Sequence, residues 1–208
     1  MVRSCTAWVH CSANRSVSWL YRRIQIRLLH TLDMEFSIRP AYLQDAALLP
    51  VIEKSAAQLF KTRPGLEWLA DSGTLSESIL LHLISLGTVW IAQTDAGQVI
   101  GFICAEEVDD ELHIWELSVH ADFQRMGIGK RLMQEADNYA SYRALSALTL
   151  TTFSDVEWNA PWYTQLGFQI VSTSTNQRLR HLLDAETVHD LPAERRVAMR
   201  LSIPHIMK

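Results

Sequence analysis

Apolar residues recur at strand spacing in three closely spaced runs, Val89 to Thr94, Val99 to Glu107 and Glu111 to Val119. The turn-forming groups Asp95-Ala96-Gly97 and Asp109-Asp110 separate them, which predicts three successive antiparallel strands. Helical spacing flanks this block. Downstream, Ile128, Leu132, Ala136, Tyr139 and Ala140 fall on one face of a helix that starts almost directly after the third strand. Upstream, Thr74-Leu75-Ser76-Glu77 has the form of a capping box, Leu75, Ile79, Leu83 and Leu86 share a face behind it, and Gly87 is placed to stop that helix. An earlier helix is expected from a cap at Asp45 through Leu59, kinked or restarted at Pro50. A further strand is expected from Ala147 to Thr152. The pattern is one α/β unit ordered strand, two helices, three antiparallel strands, helix, strand, helix, strand, with no repeats or low-complexity linkers.

With 208 residues of which 48% are hydrophobic, the chain can bury one core. No apolar run approaches the roughly 20 residues that span a bilayer. Cys5, Cys11 and Cys104 are odd in number and lack metal spacing, so a reducing, cytoplasmic compartment is expected. Cys104 lies within the apolar run Val99 to Ala105 and reads as a buried, inert thiol. The eight histidines are scattered without a metal pair, and His113 and His120, which flank the third strand, read as surface residues.

Charge divides the chain. Residues 1–33 hold Arg3, Arg15, Arg22, Arg23 and Arg27 against Asp33 alone, whereas residues 34–208 carry eight more acids than bases. Two domains of composition follow: a basic extension over 1–33, read as a transit-type peptide or, preferably, as translated upstream sequence before a start at Met34, and a folded domain over 34–208. The acidity of the second attracts cations and disfavours nucleic acid.

The densest chemistry lies where the third strand meets the following helix, at Gln124-Arg125-Met126-Gly127-Ile128-Gly129-Lys130. Glycines let the backbone approach a ligand closely, and the free N–H groups and positive dipole end of a helix start favour an anion. Arg125 and Lys130 add to that preference. This is not a P-loop, which needs four residues between its glycines and a Ser or Thr after the lysine. Nor is it the dinucleotide fingerprint, whose third glycine would fall at Leu132.

Gln124, Gly127 and Gly129 do match the Gln/Arg-x-x-Gly-x-Gly/Ala pattern of the GNAT superfamily of N-acetyltransferases, and Asn159-Ala160-Pro161-Trp162-Tyr163-Thr164-Gln165-Leu166-Gly167-Phe168 resembles that superfamily's closing motif. The likeness covers roughly Phe36 to Leu201, with Met34 to Pro40 resembling the opening strand. It implies the GNAT fold, a central mixed but mostly antiparallel sheet with helices on both faces and a splayed strand pair that binds acetyl-CoA. By this resemblance Leu117, Ser118 and Val119 offer main-chain groups to pantetheine, and Gln124, Arg125, Met126, Gly127, Ile128, Gly129 and Lys130 hold the pyrophosphate. Asn159 is expected to touch the cofactor or to cap the helix at Pro161, since the family's usual Asn position is here Val156. Tyr163 is the implied general acid for the departing thiolate, with a core tyrosine beside Trp162 and Phe168 as its alternative.

An acceptor ammonium must lose a proton before it attacks, and Glu116 is the candidate base because a carboxylate inside Ile114-Trp115-Glu116-Leu117 has to be solvated, paired or used. Its direction depends on whether the strand carries a bulge. No covalent nucleophile is apparent, so direct attack in a ternary complex is expected. Glu53, Glu67, Asp71, Glu106, Glu107, Asp109, Asp110 and Glu111 are expected to make the acceptor side acidic, and Glu67, Trp68 and Asp71 form the candidate substrate site. A short diamine or polyamine is the expected acceptor, with aminoglycosides, proteins or peptides, or a noncatalytic acyl-CoA-binding role as alternatives. No metal, membrane or nucleic-acid partner is expected, and a homodimer is left open.

Overall fold

The three apolar runs form the middle of a seven-stranded sheet: β2 (Val89–Thr94), β3 (Val99–Val108) and β4 (Glu111–Val119). Asp109, at φ 56°, makes the tight reversal between β3 and β4. β1 (Phe36–Pro40) pairs with β2, while β5 (Ala147–Phe153), β7 (Arg196–Ser202) and the short β6 (Gln169–Ile170) continue beyond β4, in the order β1-β2-β3-β4-β5-β7-β6. β4 and β5 run parallel, and the other neighbours are antiparallel. This computed structural model describes residues 35–174, 176–188 and 190–204, and the compact unit they build begins at Phe36. The reading of 1–33 as a separate basic segment lies outside the described residues.

Among the described residues five α-helices flank the sheet: α1 (Leu49–Ala57), α2 (Glu77–Ser85), α3 (Ile128–Tyr142), α4 (Ala160–Gln165) and α5 (Gln177–Val188). On one face Leu49 and Ile52 of α1, with Leu80, Leu83 and Ile84 of α2, pack against Phe102 and Cys104 of β3. On the other face α3 buries Ile128, Leu132, Met133, Ala136 and Ala140. Gly101 allows that close approach, because a Cβ there would stand 3.1 Å from the Ser118 carbonyl and 3.2 Å from Ile128. The expected mixed, mostly antiparallel sheet with helices on both faces is present.

Several local expectations are corrected. Asp45 caps no long helix; it ends a 3-10 turn (Leu43–Asp45), accepts the Tyr42 N–H at 2.7 Å and pairs with Arg39 at 2.7 Å, and α1 starts later with Pro50 in its first turn. The cap of α2 is Ser76 rather than Thr74, its hydroxyl accepting the Ile79 N–H at 3.4 Å. The buried stripe of α2 is Leu80, Leu83 and Ile84, whereas Ile79 and Leu86 of the expected face remain about half exposed. α5 had no counterpart in the expected order.

The acids at the β3–β4 end are also not an acceptor-side patch. Glu106 accepts from the Trp115 indole at 2.9 Å, Glu107 is held by Tyr139 at 2.5 Å and Arg143 at 2.9 Å, and buried Glu111 bridges Arg178 at 2.5 Å and Arg200 at 2.8 Å. These bonds tie β3 to β4 and β4 to β7, and join the sheet to α3 and α5.

Candidate functional site

The ladder between β4 and β5 ends at His113 opposite Thr149, so β4 from Ile114 to Val119 has no β5 partner. The sheet splits there. The split opens a cleft of about 1000 Å³ whose lining includes β4, the end of β5, α4 and the start of α3. Unpaired strand backbone along one wall suits an extended ligand lying as an added strand.

At one end of the cleft, Arg125 (φ 64°) and Gly127 (φ 81°) turn the chain through left-handed conformations into α3. Gly127 is the N-cap and gives no side-chain cap, which leaves the first N–H groups of a 15-residue helix directed outward. A Cβ at Gly127 would meet nothing within 4 Å, so this glycine borders open space. Gly129 is tighter on the protein side, where a Cβ would stand 3.7 Å from the Trp162 indole. Gln124, Arg125, Gly127, Ile128, Gly129 and Lys130 all line the cleft, whereas Met126 does not. The Gln124 amide donates to the Val119 carbonyl at 3.1 Å and fixes the loop to the end of β4. The arrangement fits an anionic group at the helix start and an extended arm beside Leu117, Ser118 and Val119.

Glu116 faces the cleft because β4 is bulged. Cys104 pairs with Glu116 and Ala105 with Ile114, which makes Trp115 the extra residue. Glu116 therefore shares a face with Ser118, whose hydroxyl donates to its Oε1 at 2.7 Å, and with the α1 side of the core. Burial raises its carboxyl above the ordinary range, against the opposing effects of the Ser118 bond and the Arg196 charge.

Tyr163 sits on α4 in the same lining, its ring edge-on to Trp162 at 4.9 Å and Phe168 at 5.6 Å. Burial, reinforced by the Glu116 charge, holds its phenol well above the usual value, so it stays protonated at neutral pH. Asn159 lines the cleft beside it and forms no side-chain cap; its carbonyl accepts the Trp162 and Tyr163 N–H groups.

Glu67, Trp68 and Asp71 lie on an exposed 3-10 turn (Glu67–Asp71) and are not among the residues lining the cleft. From that segment Leu69, Ser72 and Gly73 reach the lining instead.

Three lining residues stand outside the expected catalytic, cofactor and substrate sets, with Glu53 expected only among the acceptor-side acids. Glu53 of α1 accepts the Leu75 N–H with both oxygens, at 3.0 and 3.3 Å, and burial together with the Glu116 charge pushes its carboxyl up to about 8. Its sequence signal is a carboxylate at helical spacing from buried Leu49, beside Ile52, on an otherwise apolar stripe. His113 is buried rather than on the surface; it bonds Thr149 at 3.1 Å and meets Trp115 edge-on, and burial lowers its pKa to about 3. Arg196 pairs with Glu186 at 2.8 Å and stands over the Phe153 ring. Among the described residues no cluster of His, Cys, Asp or Glu could hold a metal, and no helix is long and apolar enough to cross a membrane.

Residues 85–170 match the family model described as "Acetyltransferase (GNAT) domain". Over 83 residues the chain is 31% identical to the probable N-acetyltransferase camello of Xenopus tropicalis and 32% identical to its Xenopus laevis counterpart. That match covers 38% of this chain and 37% of each relative, so the chain spans little more than a third of the curated relatives' length. Among solved structures, the PaiA N-acetyltransferase of Thermoplasma acidophilum in complex with coenzyme A superposes with a TM-score of 0.59 at 17% identity, covering 82% of this chain and all of that one. The ribosomal-protein-S18-alanine N-acetyltransferase of Escherichia coli gives 0.57 at 17% identity, with 84% and 99% covered. The chain has the GNAT fold.

Proposed function

We propose that the chain is an acetyl-CoA-dependent N-acetyltransferase that acts on a primary amine of a small cationic molecule, by direct attack in a ternary complex. The observation that carries this reading is the meeting of the β4–β5 split with the uncapped start of α3. A pantetheine arm suits the first and a pyrophosphate the second. Coenzyme A in the Thermoplasma acidophilum protein of the same fold supports that ligand.

When bound, acetyl-CoA supplies the activated acyl carbon. Leu117, Ser118 and Val119 hold the arm through their main chain, Gln124 to Lys130 receive the phosphates, and Asn159 adds a polar contact beside Tyr163. Glu116 removes one proton from the acceptor ammonium. The amine nitrogen then bonds the acyl carbon as the carbon–sulfur bond breaks. Tyr163 gives its phenolic proton to the departing sulfur and regains one from the acylated nitrogen, so the single proton released to solvent is the one Glu116 took.

Within this reading a short diamine or polyamine is the acceptor. One amine lies at Glu116, and the exposed Glu67, Trp68 and Asp71, on the turn whose Leu69 reaches the lining, offer two charges and an indole face to a second ammonium that stays protonated.

The test is CoA release against a panel of diamines, polyamines, aminoglycosides, peptides and matched monoamines. Turnover of diamines well above monoamines of equal length is expected. Equal efficiency on both overturns the diamine assignment, turnover of peptides alone redirects it to protein acetylation, and no release with any amine removes the enzymatic reading.

A further inference from the structure

Trp115, the surplus residue of the β4 bulge, belongs to two linings. It lines the cleft beside Glu116, and with Leu75, Ile79, Leu83 and Glu106 it lines an adjoining, mainly apolar groove of about 440 Å³ on the α2 side. Leu75 ties the two spaces a second time, because its N–H is held at 3.0 Å by Glu53 of the cleft. The indole is fixed from two directions. His113 meets it edge-on at 4.7 Å, and Glu106 Oε2 accepts its N–H at 2.9 Å. Trp115 is nevertheless 41% exposed and Ile79 46%, so a held aromatic ring and a branched aliphatic chain stand open to solvent next to the cleft. The other titratable group of this lining, His82, is exposed in the last turn of α2.

Glu107 and Glu111 are taken up by arginines, and Glu106 is not. Among the described residues Glu106 is in no ion pair, and its Oε1 has no partner. Its place relative to Glu116 follows from the ladder. Cys104 lies opposite Glu116, and Glu106 is two residues further along β3, hence on the same face and displaced by ~7 Å along the strand. A carboxylate, an apolar wall and a second carboxylate complement a molecule with two cationic ends and a hydrocarbon middle. Resting on the acetyltransferase reading, we propose that the groove is the distal acceptor subsite: the reacting amine stands at Glu116, the methylene chain lies across Trp115 towards Ile79 and Leu83, and Glu106 holds the far ammonium.

Each part of the subsite selects something different. Every methylene laid on the indole and the aliphatic wall leaves water, which favours a chain over a compact amine. The carboxylate favours a charged end over a methyl end, because a monoamine of equal length would press a methyl group against Glu106 and leave its oxygen without a partner. A polyamine has an ammonium for Glu106 and another for the turn that carries Glu67 and Asp71. A diamine has one to place. Glu106 is the better placed acid for it, since it lines a groove that adjoins the cleft whereas Glu67 and Asp71 lie outside the lining.

Glu106→Gln is the test, since its amide oxygen still accepts the Trp115 N–H and only the charge is lost. CoA release is measured with diamines and with monoamines of equal length. The diamine preference in kcat/KM should fall about tenfold or more, through a higher diamine KM at nearly constant kcat and acetyl-CoA half-saturation. Added salt should raise the diamine KM of the wild type and have less effect on the variant. Ile79→Ser, at an exposed position, should flatten a gain of roughly two- to fourfold per added methylene. An unchanged preference in Glu106→Gln overturns the subsite, and so does an equal loss on both amines or a preference lost in Glu67→Gln/Asp71→Asn instead. Conversion of a dimer to a monomer by Ile79→Ser in analytical ultracentrifugation gives the groove to a second copy of the chain. Failure of the acetyltransferase reading shows elsewhere, in a wild type that releases CoA with no amine, and the subsite falls with it.

Discussion

Cys104 and Glu116 stand opposite each other across β3 and β4, and the next pair along is Ala105 with Ile114. The surplus residue, Trp115, shifts the alternation by one. In a regular strand Ile114 and Glu116 would point the same way; the bulge sends them to opposite faces of the sheet.

The same relationship keeps Cys104 out of the chemistry. Its thiol is buried and is raised well above the usual range, first by burial and then by the charges of Glu116 and Glu53. Cys104→Ala should keep turnover within about twofold while losing about 1 kcal/mol of stability from the vacated volume. Intact mass after incubation with acetyl-CoA should show no adduct at Cys104, and a covalent acetyl group there would replace direct transfer by a relay.

Gly127→Glu should abolish acetyl-CoA binding, measured by calorimetry. The position has φ 81° and opens on empty space, so the new side chain would place a negative charge where a pyrophosphate belongs. Gly127→Ala separates backbone strain from charge: a left-handed alanine costs about 1 kcal/mol and should weaken binding far less. Unchanged affinity in the glutamate variant would take the phosphate away from the start of α3.

Tyr163→Phe removes one oxygen and leaves the ring contacts with Trp162 and Phe168 in place. Turnover should fall roughly 10- to 1000-fold with acetyl-CoA affinity nearly intact, the range expected for loss of a general acid. Because the phenol is held above its ordinary value, its ionisation should not appear as an alkaline limb in the wild-type profile near pH 8 to 9. Wild-type turnover in the phenylalanine variant at every pH would assign Tyr163 to packing.

Glu53 should make stability depend on pH in a known direction. Its carboxyl titrates at about 8 in the fold against an ordinary value of 4.5, so the folded state favours the protonated form. Its contribution is therefore fully present below pH 4.5 and is lost progressively as pH rises to about 8. Glu53→Gln should be more stable than wild type by more than about 1 kcal/mol at pH 8, each unit of displacement being worth about 1.4 kcal/mol, and the gap should close towards pH 4.5. Denaturant unfolding at several pH values checks this, and a gap independent of pH would mean that Glu53 ionises normally in the fold.

Periodicity alone determined the strands Val89–Thr94 and Glu111–Val119 and the helix after Gly127, because each carries its own turn or glycine punctuation and a complete apolar face. The spacing of Gln124, Gly127 and Gly129, with Tyr163 before Gly167 and Phe168, likewise made the anion cradle and the GNAT resemblance legible, since backbone conformation at those points depends on local residue type. The acidic residues were a different matter. In sequence Glu53, Glu67, Glu106 and Glu111 look alike, yet one is half-buried in the cleft, one is exposed outside its lining, one holds an indole and one lies between two arginines. His113 read as a surface residue for the same reason, because its burial depends on Thr149 and Trp115 closing around it. Which carboxylate meets which partner is settled by strand register, a one-residue bulge and the docking of α1, and these are long-range relations that no local pattern encodes. Tertiary structure alone placed Glu53 and Glu116, 63 positions apart in the chain, in the lining of one cleft, where partial burial raises the carboxyl of each.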